Sequence, residues 1–160
     1  MPKFYNTSLE DRLQFLGMSK LERDLFKFTG TEIIRDSIYI LEIGGPTRNS
    51  LLFNSNDFNN KKYYKCINLS KQKKNSPTIQ MDGTNTSFDN EQFDLIFISC
   101  MPGDIRDDVL KECNRILKKN GYIIWQGYFE YDLISFEKHN FKIIHGNPQW
   151  WGQILQKESL

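Results

Sequence analysis

From Ile38 to the end of the chain, short runs of consecutive apolar residues alternate with stretches whose apolar positions recur at helical spacing. The runs are stopped by Gly, Pro, Asn or Ser, which is how strands are punctuated. Before Ile38 the rhythm is helical only. Leu9, Leu13, Leu16, Leu21, Leu25 and Phe28 form a stripe, and Ser8 with Asp11 resembles a capping box. This predicts one or two amphipathic helices ending near Gly30.

The later runs predict strands over residues 38–43, 62–69, 78–81, 93–100, 122–126, 141–145 and 152–156. Residues 93–100 read as the central strand, because they are apolar on both faces, as a covered parallel strand must be. Residues 107–117 predict a helix, with Val109, Leu110, Cys113, Ile116 and Leu117 on one stripe and Asn120-Gly121 as its C-cap signal. Residues 132–139 predict another. The first crossover helix should lie within 47–59, weakened by its Asn and Ser content.

Strands alternating with helices imply right-handed crossovers and a mostly parallel sheet with helices on both faces. The last two strands have only a Pro-containing loop between them, which predicts a C-terminal hairpin carrying one antiparallel strand. No repeat or linker divides the chain. It reads as one α/β domain over 1–160, with a helical segment at 1–30 and two further portions at 38–126 and 127–160.

In such a sheet, ligands bind beyond the carboxyl ends of the strands, so the residues there carry the chemistry. The first strand ends in Glu42-Ile43-Gly44-Gly45-Pro46. Taken alone this is a tight turn. The second strand ends near Asn68, and the third is followed by Met81-Asp82-Gly83. The helix at 107–117 runs on through Arg115-Ile116-Leu117-Lys118-Lys119-Asn120-Gly121 into the next strand.

In this order and spacing the landmarks resemble the class I S-adenosylmethionine-dependent methyltransferases, from Ile38 to about Gln126, with the hairpin extending the likeness. The resemblance implies a Rossmann-like seven-stranded fold and S-adenosylmethionine as cofactor. It assigns Glu42, Gly44 and Gly45 to the glycine-rich turn, Asn68 to the ribose hydroxyls, Asp82 and Gly83 to the adenine, and Ser99 to the methyl-transfer edge. The sequence departs from the family pattern at Arg48-Asn49-Ser50, where a last glycine is usual, and at Asn68, where an acid is usual. The EIGGP form looks like one in bacterial methyltransferase-like proteins. The segment from Glu112 to Gly121 is a fold marker without chemistry of its own.

Gly44 is expected to admit close backbone approach by the cofactor, so that a valine there would cost binding more than stability. Asp82 has a plain alternative as a turn cap. Glu130, Tyr128 and His145 are the candidates for orienting or deprotonating an acceptor, against a solvated loop acid and a structural histidine as the plain readings. His139 reads as a surface residue and Cys100 as a small buried hydrophobe. Trp150 and Trp151 could line a pocket or pack on the sheet.

Charge changes the picture little. Twenty-one basic and twenty acidic residues nearly cancel, leaving no global field toward nucleic acid or membrane. Only Lys61, Lys62, Lys65, Lys71, Lys73 and Lys74, with no acid among them, form a local patch that could touch phosphates. Tyr63 and Tyr64 are its only stacking candidates. Cys66, Cys100 and Cys113 fall in no metal or disulfide spacing, which fits a reducing cytoplasm and no bound metal. No window approaches the ~20 apolar residues of a membrane span, and the N-terminal residues, interrupted by Glu10, Asp11 and Arg12, do not read as a signal peptide. The expected activity is methyl transfer to a small molecule or sugar-containing metabolite. The alternative is an inactive methyltransferase-like scaffold, and a second copy or another protein is an admissible partner.

Overall fold

Ser19 starts the first helix by a reciprocal cap. Its hydroxyl accepts from the Glu22 N–H at 3.3 Å, and the Glu22 carboxylate accepts from the Ser19 N–H at 2.9 Å. Helix α1 (Lys20–Asp36) buries Phe26, Gly30, Ile33 and Ile34. The computed structural model describes residues 13–44, 62–72, 74, 78–99, 105–127 and 134–158. The expected cap at Ser8 and Asp11, and the crossover at 47–59, lie outside them.

The helix does not end near Gly30. That glycine faces inward, where a Cβ would stand 3.1 Å from the Leu13 side chain, and Ile33 and Ile34 continue the same buried stripe. The stop comes at Ser37, whose N–H and hydroxyl both donate to the Ile33 carbonyl. The Lys62 ammonium donates to the carbonyls of Ile34 and Arg35, satisfying helix-end acceptors.

Among the described residues seven strands follow, interleaved with two more helices: β1 (Tyr39–Ile43), β2 (Tyr63–Asn68), β3 (Ile79–Gln80), β4 (Phe93–Ser99), α2 (Arg106–Ile116), β5 (Leu117–Gln126), α3 (Ile134–Lys138), β6 (Phe141–His145) and β7 (Gly152–Lys157). They form one sheet in the order β3-β2-β1-β4-β5-β7-β6. The first five pair in parallel, and β7 runs antiparallel to both β5 and β6. The chain order reverses between β1 and β4, the position that opens a crevice at the carboxyl edge.

Alternate strand residues serve opposite layers. Leu41, Ile43, Ile96, Ile98 and Trp125 join Val109, Leu110, Cys113 and Ile116 of α2 and Phe136 of α3. Ile40, Cys66, Leu95, Phe97 and Ile124 join Phe26, Ile33 and Ile34 of α1. Each such fully buried side chain contributes about 1.5–3 kcal/mol of transfer free energy, so both faces are needed to hold the central strands.

A second boundary differs from the sequence reading. Asn120-Gly121 does not cap α2, which ends at Ile116 when buried Leu117 pairs with Phe93. The next pair is Leu95 with Tyr122, so the intervening β5 residues bulge, and Asn120 takes up the irregularity at φ +63. Among the described residues, no helix is long and apolar enough to cross a membrane.

Candidate functional site

Gly44 follows β1 at the reversal point with φ +79, and its N–H donates to the Ile67 carbonyl at 3.0 Å. A Cβ here would stand 2.6 Å from the Ser99 carbonyl oxygen. The glycine is therefore demanded twice, by its left-handed backbone and by the end of β4 beside it. This corrects the expectation that a side chain at Gly44 would cost binding more than stability. The side chain meets the fold first.

Glu42 lies one position before Ile43 on the α1 side and is fully buried. Its carboxylate accepts a hydrogen bond from the Tyr64 hydroxyl on the neighbouring strand. A tyrosine across from the motif acid was not anticipated as its partner. Only the alternation within β2, exposed Tyr63 then buried Tyr64, could have suggested it.

Asn68 ends β2. Its Oδ1 accepts from the Ser70 N–H at 2.9 Å, closing an Asx turn, and its carbonyl accepts from the Met81 N–H at 3.0 Å. Those bonds bring the ends of β2 and β3 together, so Asn68 and Asp82 share one edge. Asp82 is exposed, and its Oδ1 accepts from both the N–H and the hydroxyl of Thr84, at 2.9 and 2.8 Å. It caps a turn, and only this one carboxylate oxygen is engaged among the described residues. Gly83 is buried and Ser99 half-buried. Gly45, Tyr128 and Glu130 lie outside the described residues.

The turn carrying Asp82 is held from α2. Glu112, 8% exposed, accepts from the Thr86 N–H at 2.6 Å and the Thr86 hydroxyl at 2.7 Å. Arg115 grips the same carboxylate with two donors at 2.8 and 2.9 Å and reaches the Phe88 carbonyl and Asn90. The Arg115 guanidinium and the Thr86 donors outweigh burial and hold the Glu112 carboxyl down to about 2. The marker Glu112-x-x-Arg115 thus has a physical task, which is to fix the loop between β3 and β4.

The histidines are not gathered into this site. His145 ends β6, two strands beyond β5, and shares a 3.0 Å hydrogen bond with Thr29 of α1. Burial pushes its pKa down. His139 follows α3 and meets Asp107 at 3.0 Å. Trp150 is 8% exposed and packs edge-on against Phe26.

One polar residue at the carboxyl edge escaped the sequence reading. Gln126 ends β5 opposite Ser99, is 3% exposed, and accepts from the Gln14 N–H at 2.8 Å. Together with the Trp151 N–H donating to Leu16, this lays residues 13–18 along the ends of β5 and β7. A polar residue closing the apolar run Tyr122-Ile123-Ile124-Trp125 was the available signal.

A cavity of about 360 Å³ opens at the opposite edge, lined in part by Asp36, Asp94, Lys118 and Tyr122. Its central ion pair is committed to the fold. Asp94 accepts from the Ile38 and Tyr39 N–H groups and pairs with Lys118 at 3.2 Å. Burial would raise its pKa, but these partners hold it low. Among the described residues, no group of three His, Cys, Asp or Glu could hold a metal.

A family profile described as a methyltransferase domain matches residues 56–125. Solved structures with the same fold include the 1,6-didemethyltoxoflavin-N1-methyltransferase of Burkholderia thailandensis, with bound 1,6-didemethyltoxoflavin and S-adenosylhomocysteine, at TM-score 0.59 and 10% identity over 88% of this chain and 79% of that one. A SAM-dependent methyltransferase from Aquifex aeolicus aligns at TM-score 0.61 and 11% identity over 81% and 87%. A 16S rRNA N2 methyltransferase of T. thermophilus, in complex with AdoMet and guanosine, aligns at TM-score 0.52 and 9% identity over 80% of this chain and 38% of that one. No curated protein matches the sequence.

Proposed function

We propose, from the premise that this chain is a class I S-adenosylmethionine-dependent methyltransferase in domain family and in fold, that its methyl acceptor is a small molecule or a sugar-containing metabolite. The observation that carries the reading is the convergence at one sheet edge of Gly44, Asn68, Asp82 and Ser99 beside the strand-order reversal.

The donor set fits the cofactor. Asn68 offers a carboxamide at the end of β2, able to donate to and accept from ribose hydroxyls. Asp82 offers a carboxylate oxygen to an exocyclic amine, with the Gly83 backbone beside it. Glu42, enclosed and held by Tyr64, would act through the turn that it supports. Gly44 and Gly45 would present backbone to the ligand.

When bound, S-adenosylmethionine supplies an electrophilic methyl on a sulfonium. The residues of this edge would hold it so that the methyl could pass to the acceptor atom with the carbon–sulfur electron pair left on sulfur. Any proton on the acceptor leaves to a base or to water. The chain contributes chiefly by positioning and by excluding water. Residues 13–18, fixed by Gln126 and Trp151, narrow the β5–β7 end of the edge, which favours a compact acceptor. The Burkholderia enzyme similar in fold binds a small molecule, 1,6-didemethyltoxoflavin. Glu130 and Tyr128 follow β5 and are the proposed acceptor-side groups, with His145 a remoter candidate.

Calorimetric titration with S-adenosylhomocysteine tests the reading. A dissociation constant of micromolar order, about −8 kcal/mol, is expected, together with a raised melting temperature. Absence of both heat and melting shift at millimolar ligand would overturn it.

A further inference from the structure

The α2-side face of the sheet is open at the amino ends of β1 and β2. Tyr39 and Tyr63 pair across those strands, and each stands two residues before a position of the same face, Leu41 and Lys65. Their rings stack in parallel, with centroids 4.9 Å apart and planes 6° from coplanar. From the β4–β5 side, the Lys118 ammonium lies 4.3 Å from the Tyr39 centroid. Tyr39 is thus sandwiched.

The outer side of Tyr63 has no such cover among the described residues. Among the described residues, β3 pairs with β2 only at Ile67 and Asn68, near its carboxyl end. With one ring face on Tyr39, Tyr63 remains 63% exposed. The segment from Met81 to Gln92, where a crossover would place a helix on this face, runs as turns and irregular backbone. Lys65 is exposed two residues along β2 from Tyr63, Lys71 and Lys74 are exposed beyond its carboxyl end, and no acid occurs between residues 61 and 74. Lys62 is withdrawn from the patch by its bonds to the end of α1, and Tyr64 is buried.

We propose that this face binds single-stranded nucleic acid, with a base stacking on the outer ring face of Tyr63 and Lys65 and its neighbouring lysines pairing with backbone phosphates. An open aromatic face bordered by cations is complementary to a base flanked by phosphates, and such stacking tolerates any base. An acidic protein would satisfy the lysines but leave the ring unused. Tyr63 lies at the amino edge, a strand length of roughly 16 Å from the cofactor edge, with Lys65 two residues along, whereas Lys71 and Lys74 lie past the carboxyl end of β2; a strand bound along β2 is a ligand beyond the methyl-transfer reading.

The test is fluorescence anisotropy of the full chain with a labelled oligouridylate of about twelve nucleotides, at about 50 and 200 mM salt. Micromolar binding that weakens with salt is expected. Tyr63→Ala should lose about five-fold or more in affinity, Tyr63→Phe should bind as the parent does, and Lys65→Gln should bind less tightly with a shallower salt dependence. Melting temperature and S-adenosylhomocysteine binding should be unchanged in all three variants. No binding by the parent at about 100 μM protein in the lower salt would overturn the proposal. So would parental affinity in Tyr63→Ala, or inorganic polyphosphate binding that matches the oligonucleotide's and is equally indifferent to Tyr63.

Discussion

Gly44 and Asn68 are the two residues at which family pattern and local physics separate. At Gly44 the left-handed φ and the Ser99 carbonyl both exclude a side chain. Gly44→Val is therefore expected to lose at least about 2 kcal/mol of stability as well as cofactor affinity. Urea denaturation checks this, and a variant as stable as the parent would show that the turn relaxes. Asn68 already spends Oδ1 on the Ser70 N–H. A carboxylate at that position can keep this bond with one oxygen and offer the other, charged, to a ribose. Asn68→Asp is expected to tighten S-adenosylhomocysteine binding by about 0.5 to 1.5 kcal/mol, roughly 2- to 13-fold. Paired titrations at fixed salt measure it, and unchanged or weaker binding by a folded variant would refute the ribose assignment.

At the scale of elements, the Glu112–Arg115 clasp couples α2 to the loop that carries Asp82. The folded Glu112 carboxyl is held at about 2, below its ordinary value of 4.5. Its contribution is therefore present above about pH 4.5 and fades as the pH falls toward 2, on the order of 2 kcal/mol in all. Glu112→Gln should be less stable than the parent at pH 7, and the gap should close on acidification. A gap independent of pH would mean that the charge is not what matters. Most elements were legible because their signals are local. The run from Phe93 to Ser99 is apolar on both faces, and Phe141 to His145 is bounded by turn residues on each side. What misled were signals with two physical uses. Gly30 reads as a helix stop but serves close packing against Leu13. Asn120-Gly121 reads as a helix cap but serves a bulge in β5. The site was legible as positions along the carboxyl edge. Its clasps were not, because Tyr64 with Glu42 and Gln14 with Gln126 are joined only by the fold.

For the whole molecule, the question is whether its two packed faces open together. Cys66 lies on β2 in the layer beneath α1 and Cys113 on the inner side of α2 in the opposite layer, and both are fully buried. Burial pushes the Cys113 thiol up, so its reactive thiolate forms only when water enters. The central strands β1, β4 and β5 contribute alternate residues to both layers, which leaves little way to dissolve one layer while the other survives. Alkylation of the two cysteines in the native protein should therefore be slow and proceed at one common rate, set by global unfolding when reclosing outpaces labelling. Ligand linkage sharpens the test. S-adenosylhomocysteine at about a hundred times its dissociation constant stabilises the folded state by about 2.7 kcal/mol and should slow both reactions roughly a hundred-fold. Mass spectrometry of the peptides containing Cys66 and Cys113 during timed alkylation, with and without ligand, reads both rates. If Cys66 reacts well ahead of Cys113, or if ligand protects only one of them, the sheet does not couple its faces, and the cofactor edge is stabilised separately from the rest of the fold.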